Sequence, residues 1–169
     1  MESEIAPNDH KAYMKYALSL AEESPPKPTN YRVGALLLDA SNNKILATGY
    51  TLELPGNTHA EQCCFQKLSV QHNVPEENLS GMLPEDTVLY TTVEPCGKRL
   101  SGNVTCVERI LRIGRKGIKR VYVGVKEPET FVGENIGRQR LEDAGIEVVL
   151  VDGLEKDILS VATAGHVKD

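Results

Sequence analysis

Strands and helices alternate through the second half of this 169-residue chain, and this alternation constrains the fold more than any other feature. Apolar runs at residues 87–92, 120–125 and 146–151 are typical of strands. Stretches of helical periodicity lie between them, at residues 104–115 and 135–144. A strand followed by a helix and another strand favours parallel pairing through right-handed crossovers.

The first half adds a hairpin. Residues 33–38 and 44–50 are short apolar runs separated by a turn-rich segment, so they are predicted to pair with each other. Residues 72–86 are predicted to be a long polar connection. Further helices are predicted over residues 9–23, 59–71 and 153–163. Together these elements predict one three-layer α/β/α domain over residues 1–169, with a mixed five-stranded sheet between helices and a frayed start at residues 1–8.

The composition argues against partners that need a large basic or aromatic surface. The net charge is −5, whereas a protein that grips a long phosphate backbone carries a basic face. Trp is absent and Phe occurs twice, so no aromatic platform for stacking single-stranded nucleic acid is visible. No segment is apolar enough to span a membrane, and the acidic N-terminus does not resemble a signal peptide. We therefore expect a cytosolic protein, with the nucleus as an alternative, and no nucleic-acid or membrane partner.

His59, Cys96 and Cys106 are candidate metal ligands. One imidazole and two thiolates are enough to hold a zinc ion and leave its fourth coordination position open. Cys96 follows Pro95 at the exit of an apolar strand, and Cys106 is predicted in the first turn of a helix, where the thiolate is favoured. The sequence therefore predicts one zinc ion per chain, with a bound water whose pKa is lowered to about 7.

Glu61 lies two residues after His59 and is placed to move protons without binding the metal. In this interpretation zinc-bound hydroxide attacks the amino-bearing carbon of a ring. Glu61 takes the proton from the zinc-bound water, gives it to a ring nitrogen and then protonates the leaving ammonia. A first-turn glutamate that merely stabilises the helix dipole is the alternative. Beside His59 the catalytic role is favoured, and the set indicates hydrolytic deamination of a nucleobase-like ring.

The spacing of the cysteines leaves the ligand set open. Nine residues separate Cys96 from Cys106, where two are usual, so their loop does not preset both sulfurs. His59 and Cys63 are four residues apart on one helix face and could bind a metal together. Cys106 would then be a core residue, because free cysteines are often buried as small hydrophobes. The preferred interpretation makes Cys106 a ligand and assigns Cys63 and Cys64 to packing.

The motifs resemble those of the cytidine-deaminase-like superfamily and, more narrowly, of the riboflavin-biosynthesis deaminases. Glu94-Pro95-Cys96, followed through Gly102 by Cys106, is similar to the bacterial arrangement of a Pro-Cys, a long glycine-containing loop and a second Cys. That arrangement accounts for the nine-residue gap. The resemblance implies the cytidine-deaminase-like fold.

The resemblance extends over residues 9–152. Segment 54–63 is most similar to the fungal branch, in which the ribityl side chain forms before deamination. Segment 30–34 is similar to the family's entry into the first strand, with Tyr31 in place of a proline. Further similar segments lie at residues 9–21 and 132–146.

The resemblance implies a substrate, 2,5-diamino-6-ribitylamino-4(3H)-pyrimidinone 5′-phosphate, with the 5-amino-2,4-dione as product. Bacterial members often continue into a reductase domain, and some fungal members carry a pseudouridine-synthase domain. We expect neither in this chain, and therefore no use of NADPH. The resemblance also implies a homodimer.

The resemblance places candidate substrate contacts as well. Asn30 matches a substrate-contacting asparagine, and the backbone N–H of Ala60 is expected to hydrogen-bond the ring beside Glu61. Thr51 and Glu53 are candidates for the ribityl hydroxyls. Candidates for the phosphate, in the loop between the cysteines, are Lys98, Arg99, Ser101 and Asn103. A solvated basic loop is the alternative for this last group.

Other functions stay open at this point. A deaminase that edits tRNA adenosine would share the zinc site, but the acidic balance and the long cysteine spacing count against it. A deaminase of free dCMP would turn over cytosine nucleotides. A binding module with purely structural zinc would need a fourth protein ligand.

Overall fold

A computed structural model describes residues 4–28, 30–95, 105–126 and 136–166 of the chain. The strands in these ranges are β1 (Gly34–Asp39), β2 (Lys44–Tyr50), β3 (Thr87–Val93), β4 (Arg120–Val125) and β5 (Glu147–Leu150). The α-helices are α1 (His10–Ala21), α2 (Ala60–His72), α3 (Cys106–Ile113), α4 (Ile136–Asp143) and α5 (Glu155–Ala162). A 3₁₀ helix spans Glu76–Gly81. No helix in the part of the chain described is long and apolar enough to cross a bilayer.

The five strands form one mixed sheet in the order β2-β1-β3-β4-β5. The predicted hairpin is confirmed, because β1 and β2 pair antiparallel. β1 also pairs antiparallel with β3, whereas β3, β4 and β5 run parallel, as the alternation of strands and helices predicts. Thr91 of β3 lies between Ala35 of β1 and Val123 of β4, so the antiparallel and parallel halves meet at β3.

Helices cover both faces of the sheet. Leu37 and Leu89 face a buried cluster that includes Phe65 of α2, Ile110 of α3 and Leu141 of α4. On the opposite face, α1 and α5 pack over alternate strand residues, among them Leu36, Tyr90 and Tyr122. This alternation of side chains between two apolar faces is the signature of strands buried on both sides. The predicted three-layer α/β/α arrangement is confirmed.

Local signals set the limits of α1. The Asp9 side chain accepts a hydrogen bond from the N–H of Ala12 at 3.1 Å, so Asp9 is the N-cap. The helix ends at Ala21, ahead of Pro25 and the prolines that follow. Ile5 packs against the α1 side of the core, and its carbonyl accepts from Asn43 Nδ2 at 2.7 Å. The expectation of a frayed start therefore does not extend to Ile5.

The connection at residues 72–86, predicted only as long and polar, has a structure of its own. This segment contains the 3₁₀ helix, and its Leu79 and Leu83 are buried in the core under α2 and α3. Two leucines four residues apart anchor the segment, although polar residues dominate its composition. The connection between α2 and β3 is thus a packed part of the layer that carries both helices.

Candidate active site

One edge of the sheet gathers the residues that the sequence singles out. Gly34, at the start of β1, pairs with Tyr50, at the end of β2. The adjacent Ala35 pairs with Thr91, near the end of β3. β1 therefore begins where β2 and β3 end, and these are the strands that precede α2 and α3 in the chain. Ligand sites of α/β sheets are expected beyond such strand ends.

His59 and Cys106 meet at this edge. The Cys106 Sγ and His59 Nδ1 atoms are 3.4 Å apart, although 47 positions separate the residues in the sequence. A zinc ion held at about 2.3 Å from sulfur and about 2.0 Å from nitrogen in tetrahedral geometry would place those two atoms about 3.5 Å apart. The two side chains therefore fit a shared zinc ion without rearrangement.

The start of α2 presents His59 to this site. His59 is the extended N-cap residue of the helix, and its N–H donates to Gln62 Oε1 at 3.3 Å. Its carbonyl accepts from the N–H of Cys63, which begins the helical ladder. Ala60 occupies the first helical position, where the backbone N–H has no partner within the helix. The expected role of that N–H toward a substrate ring stays a prediction.

Gly49 of β2 lets this helix start approach the sheet. A Cβ atom at Gly49 would lie 2.3 Å from the carbonyl oxygen of Ala60 and 3.0 Å from Cβ of Cys63. The first distance is far inside van der Waals contact, so only glycine fits there. The positions of His59 and Glu61 thus depend on a strand residue that lies ten positions before His59 in the chain.

Replacing Gly49 by Ala is expected to displace the first turn of α2. We expect the free energy of unfolding to fall by about 1–3 kcal/mol and kcat to fall by up to about 10²-fold, because small misplacements of a reacting group are that costly. Urea denaturation and steady-state kinetics check both. The matched control is Gly81→Ala, since a Cβ there meets nothing within 4 Å. Equal effects in the two variants would contradict this role of Gly49.

The start of α3 presents Cys106. Thr105 is the N-cap, and its hydroxyl accepts from the N–H of Glu108 at 3.1 Å. Cys106 follows at the first helical position, within the first turn as predicted, and is fully buried. A helix N-terminus lowers the pKa of a thiol, which favours the thiolate that a metal binds.

Glu61 lies in the first turn of α2 and is 3% exposed. Burying a carboxylate costs desolvation free energy, and a helix-dipole contribution of about 0.3–1 kcal/mol does not offset that cost. The burial of Glu61 two residues from His59 therefore favours a role in the site over a role in the helix dipole.

The other two described cysteines of this region point into the sheet. Cys63 Sγ lies 3.6 Å from the carbonyl oxygen of Tyr50, and Cys64 Sγ lies 3.6 Å from that of Ala35. Burial raises the pKa of the Cys64 thiol well above its ordinary value, and the nearby carboxylate of Glu61 adds to the rise. Both contacts are those expected of packing residues.

The third candidate ligand, Cys96, lies outside the described residues. So do the four candidates for phosphate contacts, Lys98, Arg99, Ser101 and Asn103. Within the described ranges no group of three or more His, Cys, Asp and Glu side chains is assembled for a metal. The roles of these five residues stay predictions. Pro95, which precedes Cys96 directly, is buried just beyond the end of β3.

Asn30 lies beside Asn57, a loop residue to which the sequence patterns assign no role. Asn30 Nδ2 donates to Asn57 Oδ1 at 3.2 Å, and this bond joins the loop before β1 to the loop before α2. The Asn30 carbonyl oxygen also lies 2.9 Å from His166 Nε2. Asn57 is four residues before Glu61, but no spacing rule in the sequence marks it, because the contact depends on the tertiary fold.

The two residues expected near the ribityl hydroxyls have other partners. Thr51 is 4% exposed, and its hydroxyl accepts from the N–H of Val33 at 2.9 Å. This bond joins the residue after β2 to the residue before β1. Glu53 forms an ion pair with Lys67 Nζ at 2.7 Å, and the same ammonium donates to the carbonyl of Thr48. Both contacts stabilise the loop ahead of His59, and a substrate contact for either stays a prediction.

Comparison with known proteins identifies the family. The sequence matches the cytidine and deoxycytidylate deaminase zinc-binding region over residues 7–125. The chain belongs to this family. The predicted membership of the cytidine-deaminase-like superfamily is confirmed, and so is its fold.

The chain is also similar to riboflavin-biosynthesis deaminases. It is 37% identical over 162 residues to the diaminohydroxyphosphoribosylamino-pyrimidine deaminase of Schizosaccharomyces pombe, covering 96% of this chain and 37% of that protein. The chain thus spans little more than a third of the length of this curated relative. The narrower resemblance to the fungal branch is confirmed as a likeness.

Two solved structures are similar to the present chain along nearly their whole length. A C-terminal deletion mutant of Aspergillus oryzae Rib2 deaminase at pH 4.6 is 52% identical, with a TM-score of 0.85 and coverage of 93% of this chain and 92% of that chain. The same deletion mutant in complex with DARIPP is 50% identical, with a TM-score of 0.84 and coverage of 95% and 92%.

Proposed function

We propose that this chain is a zinc-dependent deaminase of riboflavin biosynthesis. The observation that carries the proposal is the distance of 3.4 Å between His59 Nδ1 and Cys106 Sγ, beside the buried Glu61. Family membership and the DARIPP complex of the Aspergillus oryzae deaminase support the reaction and the substrate class. The proposed substrate is 2,5-diamino-6-ribitylamino-4(3H)-pyrimidinone 5′-phosphate.

In this proposal His59, Cys96 and Cys106 hold the zinc ion. When bound, zinc supplies Lewis acidity that lowers the pKa of water and makes it a nucleophile at neutral pH. The two thiolates and the neutral imidazole compensate the charge of the ion, so the site can be buried. The burial of Cys106 and the N-terminal positions of both α2 and α3 fit that donor set.

The reaction exchanges an amino group for an oxygen on a ring carbon. The oxygen of water bonds to that carbon, and the bond between the carbon and the amino nitrogen breaks. Glu61 accepts a proton from the attacking water and delivers it to the ring nitrogen. It then takes the second proton from the added hydroxyl, as the carbon–oxygen double bond forms, and passes it to the leaving nitrogen, which departs as ammonia. The N–H of Ala60 and the side chain of Asn30 hold the ring so that the amino-bearing carbon faces Glu61. Ala60 and Glu61 are consecutive residues in the first turn of α2, which supports this arrangement.

Incubating the zinc-loaded protein with the ribitylamino pyrimidinone phosphate and following ammonia tests the proposal. We expect ammonia in amounts equal to the dione product, and none from dCMP or tRNA at the same enzyme concentration. Absence of ammonia from the ribitylamino compound would overturn the substrate assignment. Ammonia from dCMP would instead favour a nucleotide deaminase. We further propose that the protein is cytosolic and forms a homodimer. Sedimentation equilibrium tests the homodimer.

A further inference from the structure

An ion pair joins the 3₁₀ helix to the helix that carries Cys106. Arg109 Nη1 and Glu76 Oε2 are 2.7 Å apart, and the two side chains are 14% and 26% exposed. Arg109 lies three residues after Cys106, almost one turn further along α3. The contact therefore acts on the first two turns of the helix that presents a candidate zinc ligand.

This pair is poorly suited to a role in stability alone. Arg109 Nε and Glu76 Oε1 are buried and have no hydrogen-bond partner among the described residues. Removing two charges from water is costly, and a mostly buried pair with unsatisfied atoms returns little of that cost. Apolar side chains of similar size would hold the two elements together at least as well. What the ion pair adds, and an apolar pair would not, is a fixed position of the 3₁₀ helix relative to α3.

The 3₁₀ helix is placed to set the position of both ligand-bearing helices. It packs against α2 and α3, and its Leu79 shares one buried cluster with Phe65 of α2 and Ile110 of α3. Apolar contacts of this kind have no preferred direction. The ion pair adds a directional contact between the 3₁₀ helix and α3, and this contact limits how far Cys106 can move relative to His59.

We propose that Glu76 and Arg109 are positioning residues that hold Cys106 at the separation from His59 that zinc requires. This inference rests on the proposed zinc function. Neither side chain needs to touch the metal or the substrate. Their effect passes through the backbone of α3, from the guanidinium at Arg109 to the first helical position at Cys106.

The test measures metal affinity in purified protein without substrate. The variants are Glu76→Gln, Arg109→Met and the double variant, with Glu147→Gln as matched control. Glu147 forms an exposed ion pair with Arg120, at the start of β5 and at the opposite end of the sheet. The zinc dissociation constant is measured by competition with a chromophoric chelator. The absorption spectrum of the Co²⁺-loaded protein reports ligand geometry, and urea midpoints report stability.

Each single variant is expected to weaken zinc binding by about tenfold, the lower end of what residues supporting metal ligands contribute. The double variant should bind zinc no more weakly than either single variant, because all three variants lose the same interaction. The Co²⁺ spectrum should change in these variants, whereas Glu147→Gln should match the parent protein in both readouts.

Unchanged zinc affinity and an unchanged Co²⁺ spectrum in Glu76→Gln and Arg109→Met would overturn the proposal, even if their urea midpoints fell. Should Arg109→Met not fold, Glu76→Gln alone decides, because it removes a charge without changing side-chain volume. A parent protein that binds no zinc would overturn both this inference and the proposed function. Zinc binding without ammonia release would overturn the proposed function alone.

Discussion

Replacing Glu61 by Ala is expected to reduce ammonia release by about 10²–10⁴-fold, the usual contribution of a general acid–base group. Glu61 is buried in the first turn of α2, two residues from His59, and is not among the proposed zinc ligands. The variant should therefore keep its zinc and its fold. Kinetics of ammonia release, with zinc content measured on the same preparation, checks both expectations.

Two further variants separate proton transfer from helix stabilisation. Glu61→Gln keeps the size of the side chain and should be as inactive as the alanine variant, because the amide cannot accept the proton. Glu155→Ala removes a glutamate from the first turn of α5, on the other face of the sheet, and should leave activity unchanged. Ammonia release from Glu61→Ala at the parent rate would show that Glu61 serves the helix alone.

Replacing Cys106 by Ala is expected to remove zinc and to lower activity to the background. Its sulfur lies 3.4 Å from His59 Nδ1, so the change deletes one of the two described candidate ligands. A zinc site with one thiolate fewer also carries an uncompensated positive charge in a buried position. Zinc content by atomic emission, measured after dialysis, gives the direct readout.

Cys63→Ala is the matched control, since Cys63 is also a fully buried cysteine close to the start of α2. Its sulfur contacts the carbonyl of Tyr50, and we expect a loss of about 1 kcal/mol in the free energy of unfolding with zinc retained. Loss of zinc in Cys63→Ala but not in Cys106→Ala would reverse the ligand assignment and restore the pairing of His59 with Cys63 on one helix face.

Much of the fold was predictable because the relevant signals are local. The turn-rich segment between two apolar runs identifies the β1–β2 hairpin, and the helix between two apolar strands identifies the parallel pairing of β3 with β4. Asp9 carries its own capping signal. The 3₁₀ helix escaped prediction because Leu79 and Leu83 are isolated in polar sequence, and their burial depends on contacts with α2 and α3.

The candidate site was also predictable only where its signals are local. One imidazole, one thiol and one nearby carboxylate, from His59, Cys106 and Glu61, belong to the set that a zinc deaminase uses, so the chemistry could be predicted before the distances were known. Spacing alone could not choose between Cys63 and Cys106, because the choice depends on which sulfur the fold turns toward the imidazole. The Asn30–Asn57 contact depends on two loops meeting, which no local pattern encodes.

A crystal structure of the zinc-loaded protein tests the proposed zinc site most directly. We predict electron density for one zinc ion at about 2.0 Å from His59 Nδ1 and about 2.3 Å from the sulfurs of Cys96 and Cys106. The fourth position should hold water, with the Glu61 carboxylate beside it. A protein side chain in the fourth position, or a zinc ion bound away from the Cys106 sulfur, would contradict the account.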